Sequence, residues 1–360
     1  MSDTTTTTET PAATPGVEEA RKLDLAVGGQ AVIEGVMMRS PTSIATAVRN
    51  PEGRIVIRKK PFHSVVARNR WLNIPVLRGG VHLIETMGLG IDALMFSADQ
   101  AVSEDRVETE KAPLKDQIWM WGTVVVAFAL SMGLFFYLPL MVTEWMGVEG
   151  SLLFNVVDGI IRVILFVLYL WAISRMKDMG RVFEYHGAEH KSIHAFENGR
   201  SLDAAGARPF TTLHPRCGTS FLFFVMIISI LVFVFLGKPD SVGERLLRLA
   251  FVPLIGGLAY EAIKLSGKFC DAWWLKPAIQ PGLWLQKITT SEPDDEQLEV
   301  AMAALRAVLT PEAEGFKTRI YYDLPEGETA ADPAPGAAAA TGTDDSGPRP
   351  APAAGGGGQS

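Results

Sequence analysis

The chain has 360 residues, a net charge of −7 and a composition that is 48% hydrophobic, with a mean hydropathy of +0.18. These values are high for a soluble domain and indicate a membrane protein. The acidic balance argues against nucleic acid as the main partner. Only two cysteines are present, Cys217 and Cys270, which excludes a disulfide framework and is typical of a reducing compartment.

Both ends of the chain have the composition of disordered segments. Residues 1–23 are rich in Thr, and residues 323–360 are rich in Pro, Ala and Gly. Residues 1–16 have neither a basic start nor an apolar stretch, so no secretory signal is predicted. We expect the first membrane span to act as the targeting element.

Residues 24–110 are predicted to form a cytosolic strand-and-helix region. Short strands are predicted at 30–39, 43–49 and 54–59, with a turn at 50–53. Residues 75–100 predict a helix whose polar residues recur along one stripe while its other faces are apolar. This helix is expected to lie at the membrane surface or to pack against the spans.

Four transmembrane helices are predicted within residues 115–268. The stretches 118–140 and 218–237 contain no charged residue and are long enough to cross a hydrocarbon core of about 30 Å. The stretch 152–174 carries Asp158 and Arg162, which are four residues apart and could neutralise each other. The stretch 246–263 contains a proline and paired glycines, which favour a kinked or closely packed helix.

The distribution of Lys and Arg predicts the orientation. Connection 175–217 is rich in both, whereas connection 141–149 contains Glu144 and Glu149 and neither basic residue. We therefore expect a multi-pass protein of the bacterial inner membrane with both termini in the cytosol. The predicted fold is a mainly α-helical polytopic membrane protein with a small N-terminal cytosolic α+β region, a cytosolic loop at 175–217 and a cytosolic C-terminal helix region at 269–322.

Four of the six histidines fall within 29 residues, from His186 to His214. His186 and His190 are four apart, so on a helix they lie on one face and could hold one ion. With Glu189 they form the H-x-x-E-H order of the inverted zincins, in which the histidines bind zinc and the glutamate activates the metal-bound water. Glu189 is therefore the predicted catalytic residue.

Further ligands are expected from the same membrane face. His194 extends the helical face, His214 and Cys217 precede the third span, and Glu261 lies near the cytosolic end of the fourth. A carboxylate at that depth needs a partner, and a metal or a basic residue would be one. The predicted cofactor is a divalent metal, with zinc favoured. The predicted metal ligands are His186, His190, His194, His214, Cys217 and Glu261.

Four motifs resemble the YqhQ family, bacterial membrane proteins of unknown function described as predicted metal-dependent enzymes. They are GQAVIEGVMMR at 29–39, YHGAEHK at 185–191, HPRCGTS at 214–220, and QKITT at 286–290 followed by EPDD at 292–295. The resemblance covers about residues 25–312. It implies a membrane protein with a metal-dependent activity.

Three functions remain as hypotheses. The first is a metal-dependent hydrolase at the cytosolic membrane face that acts on a peptide, an amide or a lipid-linked ester. The second is a scaffold or assembly factor with a structural metal held by His186, His190, His214 and Cys217. The third is a metal or proton carrier, which the charge-free first and third spans disfavour. The expected partners are the lipid bilayer and a protein or lipid-linked substrate, and interfacial histidines without a metal are the alternative to a site.

Overall fold

The computed structural model describes residues 27–102, 114–268, 273, 276–310 and 318–322. The ends 1–23 and 323–360, predicted to be disordered, lie outside these residues, as does Cys270.

An antiparallel sheet precedes the helices, and a strand from the C-terminal part completes it. Within the described residues it has five strands in the order β1-β2-β3-β4-β5. The strand predicted at 30–39 is a hairpin, because the chain turns at Glu34, where φ is 51°. The strands are β1 Gly28–Val32, β2 Gly35–Arg39, β3 Ser43–Arg49, β4 Ile55–Pro61 and β5 Arg319–Tyr322.

The rest of the described chain is mainly helical. A short 3-10 turn, Arg70–Leu72, follows α1, and a π-helical turn, Gly133–Tyr137, separates α3 from α4. The helices are α1 Val65–Arg68, α2 Leu77–Val102, α3 Leu114–Met132, α4 Leu138–Trp145, α5 Ser151–Ile173, α6 Lys177–Glu197, α7 Ala204–Ala207, α8 Gly218–Leu236, α9 Val242–Ala250, α10 Val252–Lys268, α11 Lys276–Thr289 and α12 Asp295–Leu309.

Five helical stretches of the described chain are long and apolar enough to cross a membrane. Four of them correspond to the predicted spans, and the fifth is α2, which was predicted to lie on the surface or against the spans. The number four therefore does not follow from length and composition. The stretches are Leu77–Ala101, Gly122–Trp145, Ser151–Ile173, Gly218–Leu236 and Val242–Leu265.

Polar contacts tie the apolar helices together. Arg162 Nη2 lies 2.9 Å from Asp158 Oδ2, which confirms the predicted pairing. Arg248 Nη2 donates to Asn155 Oδ1 at 2.6 Å and to the carbonyl oxygen of Gly237. Because these groups are buried, each contact offsets the cost of removing a charge from water.

The last apolar stretch is interrupted next to its proline. The chain leaves the α9 helix at Phe251, and Pro253 follows within the first turn of α10. The predicted close packing is also found, because a Cβ at Gly257 would lie 2.3 Å from the carbonyl oxygen of Val76. Only glycine permits this approach of α10 to the segment before α2.

The sheet is covered on both faces. Alternation along β2 directs Val36 and Met38 to one face and Met37 to the other. The first face packs on α6 and α12, and the second packs on Ala93 and Phe96 of α2. This layered arrangement holds α6 beneath the sheet, and α6 carries most of the predicted site.

Side-chain hydrogen bonds fix the start of helix α12. Asp294 is the N-cap residue and accepts from the backbone N–H of Gln297, whose side chain accepts from the Asp294 N–H. This reciprocal capping fixes the first turn. The helix then buries its apolar face, including Leu298 and Leu305, in the core.

Candidate functional site

Four of the predicted site residues lie on one helix. The connection 175–217, predicted as a loop, contains the 21-residue helix α6, which carries His186, Glu189, His190 and His194. The ring centroids of His186 and His190 are 4.5 Å apart. The helix therefore presents two imidazoles side by side.

Backbone carbonyls fix the tautomers of these two rings. Nδ1 of His186 lies 2.7 Å from the carbonyl oxygen of Thr289, and Nδ1 of His190 lies 2.5 Å from that of Thr212. A carbonyl oxygen can only accept, so each Nδ1 carries the proton and each Nε2 presents a lone pair. Metal-binding histidines are commonly held in this way.

The Nε2 lone pairs of both rings are directed to Cys217. Nε2 of His186 lies 3.2 Å from Sγ of Cys217. Nε2 of His190 also faces this sulfur, but it is buried and has no hydrogen bond of normal geometry within the described residues. The three atoms lie within 4.8 Å of one another. A buried acceptor left unpaired costs on the order of 1–3 kcal/mol, and a cation at this point would remove that cost.

Burial keeps the His190 ring neutral. It lowers the pKa of His190 below the ordinary value of 6.5; His186 acts in the same direction, while Cys217 and Thr212 oppose it. The ring is thus in its ligand form at neutral pH, because only unprotonated imidazole nitrogen binds a metal.

Cys217 is held at the N-cap of α8. Its sulfur accepts from the Thr219 N–H at 3.4 Å and lies 3.1 Å from Thr219 Oγ1. Two imidazoles and one thiolate are donors that zinc accepts well. Three protein ligands leave one coordination position for water or substrate, so the donor set fits a divalent metal.

Glu189 lies next to this group, on the side that faces β1. Its carboxyl group is buried, and burial raises the pKa of Glu189, against opposing effects of His186 and the Gly29 N–H. A Cβ at Gly29 would lie 2.9 Å from Cγ of Glu189, so glycine is required there. Strand β1 thus closes over a carboxyl group whose pKa burial raises.

A second group lies one helical turn further along α6. His194, His214 and Glu197 each offer an atom within 4.8 Å of the others. Here the nitrogens are used within the protein: His214 Nδ1 accepts from the Arg216 N–H at 3.3 Å, and its Nε2 lies 3.5 Å from Glu197 Oε2. Arg216 also pairs with Glu197. The carboxylate therefore already has an arginine as its counter-ion and a histidine ring nitrogen as a hydrogen-bond partner.

The predicted ligands are therefore divided. His186, His190 and Cys217 form the first group, whereas His194 and His214 belong to the second. The two groups adjoin, since the rings of His190 and His214 are 5.7 Å apart.

Glu261 lies away from both groups. Its Oε1 accepts from Arg78 Nε of α2 at 2.6 Å, and Arg78 Nη2 donates to its other oxygen. The sequence predicts correctly that this carboxylate needs a partner, but the partner is an arginine 183 residues away and not a metal. The assignment of Glu261 as a ligand is corrected accordingly.

The C-terminal end of α11 and the segment that follows it support the site, and their role was missed. Gln286 accepts from the His214 N–H and donates to the His214 carbonyl oxygen, both at 2.8 Å. A Cβ at Gly187 would lie 2.1 Å from the carbonyl oxygen of Ser291, so glycine lets this segment pack onto α6. The motifs at 185–191 and 286–290 were visible in the sequence, but their contact was not.

The second missed residue is Glu197. It lies three residues after His194 on the same helical face, which was the available signal. Burial would raise the pKa of Glu197, but the hydrogen bond from His214 and the charges of His214 and Arg216 hold it below the ordinary value.

The described helices are compatible with a multi-pass membrane protein, and the histidine and cysteine side chains form a candidate metal site. Residues 74–311 match the family described as protein of unknown function, DUF1385. The chain is also 33% identical over 304 residues to the protein named "Uncharacterized protein YqhQ" of Bacillus subtilis strain 168, covering 81% of this chain and 95% of the relative. The chain belongs to this family. No solved structure matches it.

Proposed function

We propose that the protein is a metal-dependent membrane hydrolase whose metal is held by His186, His190 and Cys217. The observation that carries the proposal is that one donor atom from each of His186, His190 and Cys217 lies within 4.8 Å of the others, where Nε2 of His190 is buried and has no hydrogen bond of normal geometry among the described residues. A hydrogen-bonded core histidine would have a partner at this nitrogen.

The proposed reaction is hydrolysis of a peptide, an amide or a lipid-linked ester. A zinc ion would supply Lewis acidity at the carbonyl group of the substrate. Glu189 accepts a proton from the attacking water and delivers it to the leaving group as the carbonyl–heteroatom bond breaks. The raised pKa of Glu189 suits both steps, because a carboxyl group poised closer to neutral pH serves as base and then as acid.

We further propose that the chain crosses the bacterial inner membrane four times. The sheet, α6 and α12 share one core, so they lie on the same side. Two proposed crossings, α3–α4 and α5, separate the sheet from α6, and two more, α8 and α9–α10, separate α6 from α12. Each pair of crossings brings the chain back to the same side of the membrane. The Lys and Arg residues around α6 make this the cytosolic side.

The test is metal content in purified protein. His186→Ala and His190→Ala should lose the metal, and His194→Ala serves as the matched control because it lies on the same helix but in the second group. Unchanged metal in the first two variants would refute the site. Glu189→Gln should keep the metal and abolish complementation of a deletion strain.

A structural metal is the second candidate. The burial of the donor atoms favours it, since Cys217 is 8% exposed and His190 1% exposed. Structural sites are closed and catalytic sites keep an open position. If Glu189→Gln keeps both metal and complementation, the scaffold function is supported over the hydrolase.

A further inference from the structure

Helix α2 presents a continuous apolar stripe to its surroundings. Ile84 is 67% exposed and Met87 is 58% exposed. Ile91, Leu94 and Met95 extend the same side of the helix and are also exposed. Residues spaced three, four and seven apart lie on one face, so the stripe runs along most of the helix.

Three of the four charged residues of α2 contact other parts of the protein, and the fourth, Asp99, is exposed near its C-terminal end. Arg78 pairs with Glu261 of α10, and Glu85 accepts from Ser64 Oγ at 2.8 Å. Asp92 pairs with Arg58 at 2.8 Å and with Lys60 at 3.0 Å. The exposed stripe is thus left without charge, which is the distribution of a helix that borders lipid.

Each half of α2 has a different neighbour. The first half packs along α10, where a Cβ at Gly79 would lie 2.8 Å from the carbonyl oxygen of Gly257 and the ring of His82 stacks on Tyr260. The second half packs on the sheet through Ala93 and Phe96. One end is thus fixed to a proposed span and the other to the proposed cytosolic head.

The order of the chain excludes α2 as an additional crossing. If α2 crossed the bilayer, three crossings would separate the sheet from α6, and the two would lie on opposite sides. They instead pack together: Tyr185 and Ala188 of α6 share a core with Val36 and Met38 of β2.

We propose that α2 is embedded in the cytosolic leaflet without crossing it, with the stripe from Ile84 to Met95 covered by lipid. The occupant is lipid, because the stripe carries no charged residue and α2 packs along α10, which is part of a proposed span. This inference rests on the proposed four-crossing topology.

The arrangement links the bilayer to the candidate site. Helix α2 contacts β1 through Gly90 and Gln30. The contact is close, because a Cβ at Gly90 would lie 2.6 Å from Oε1 of Gln30. The neighbouring residue, Gly29, packs on Glu189. Lipid contact along α2 therefore holds the strand that covers Glu189 at the membrane surface.

Sidedness tests the inference. Single cysteines are placed at His63, Asp99, Lys177 and Glu149 in the full chain carrying Cys270→Ser, with buried Cys217 retained and its labelling subtracted. A membrane-impermeant maleimide is applied to right-side-out and inside-out vesicles. His63→Cys, Asp99→Cys and Lys177→Cys should label from the cytosolic side, and Glu149→Cys from the other.

The outcomes separate the two proposals. Labelling of Asp99→Cys from the side opposite to His63→Cys, with Lys177→Cys and Glu149→Cys as expected, overturns the embedded helix: α2 would then replace α3–α4 as the first crossing, while the number of crossings stays at four. Labelling of Lys177→Cys and Glu149→Cys from one side overturns the four-crossing topology itself.

Lipid contact is tested by quenching. An environment-sensitive fluorophore on Met87→Cys should be quenched by nitroxide lipids at least roughly twofold more than on Glu296→Cys, an exposed site on α12. Equal quenching at both sites would show that protein, not lipid, covers the stripe, and it would overturn the proposal.

Discussion

Two histidine groups lie one turn apart on α6, and they use their nitrogens differently. In the first group, carbonyl oxygens hold both Nδ1 protons, and the Nε2 lone pairs of His186 and His190 face the sulfur of Cys217. In the second, His214 has both ring nitrogens engaged, with the Arg216 N–H and with Glu197. The difference teaches that histidine spacing alone does not define a metal site, because the hydrogen bonds around each ring decide which nitrogens are free.

The largest effect is expected from a change that disturbs the packing of α6, the helix that carries residues of both histidine groups. In Gly187→Ala the new Cβ would meet the Ser291 carbonyl oxygen at 2.1 Å, and backbone must move to relieve it. We expect a loss of about 3 kcal/mol in stability, together with weaker metal binding. Thermal unfolding in detergent measures the first quantity. Gly180→Ala on the same helix is the control, since nothing lies within 4 Å of its Cβ; equal effects of both changes would contradict the packing account.

The next prediction concerns Gln286, which supports the segment that carries Cys217 but is not itself a predicted metal ligand. Gln286→Leu leaves the backbone N–H and carbonyl oxygen of His214 without their partner. We expect a stability loss of about 2 kcal/mol and a metal affinity reduced roughly 10- to 100-fold. Competition with a chromophoric chelator measures the affinity. Exposed Gln280→Leu on the same helix should leave it unchanged.

A pH series sharpens the role of Glu189. Its folded pKa lies above the ordinary value of 4.5, so its contribution to stability is fully present below that pH and is lost as pH rises. In metal-free protein, Glu189→Gln should therefore gain stability relative to the unsubstituted chain as pH is raised from about 5 to 8. The midpoint of thermal unfolding of both proteins across this range measures the difference. A difference independent of pH would show that burial does not raise this pKa.

The smallest expected effect concerns the second group. Glu197→Gln removes the charge that pairs with Arg216, and this ion pair is partly exposed to solvent, so a stability loss under about 1 kcal/mol is expected. Metal content should not change. Loss of metal in this variant would show that both groups belong to one metal site, and it would contradict the distinction drawn between them.

The sequence predicts much of the local structure and the residue types of the site. Charge-free stretches give the apolar helices, and alternation with a turn at 50–53 gives β3 and β4, because these signals are local. The strand Arg319–Tyr322 and the partner of Glu261 were missed, because they depend on contacts between residues far apart in the chain. The division of the histidines into two groups could not be predicted, because it depends on carbonyl groups at Thr212 and Thr289.

X-ray absorption spectroscopy of the purified protein carrying one equivalent of zinc tests the central claim most directly. The account predicts one sulfur ligand at about 2.3 Å and two imidazole nitrogens at about 2.0–2.1 Å, with a light atom in the remaining position. In Cys217→Ser the sulfur ligand should disappear, and in His194→Gln the spectrum should not change. A spectrum without sulfur in the unsubstituted protein, or one that changes with His194, would contradict the assignment of the metal to His186, His190 and Cys217.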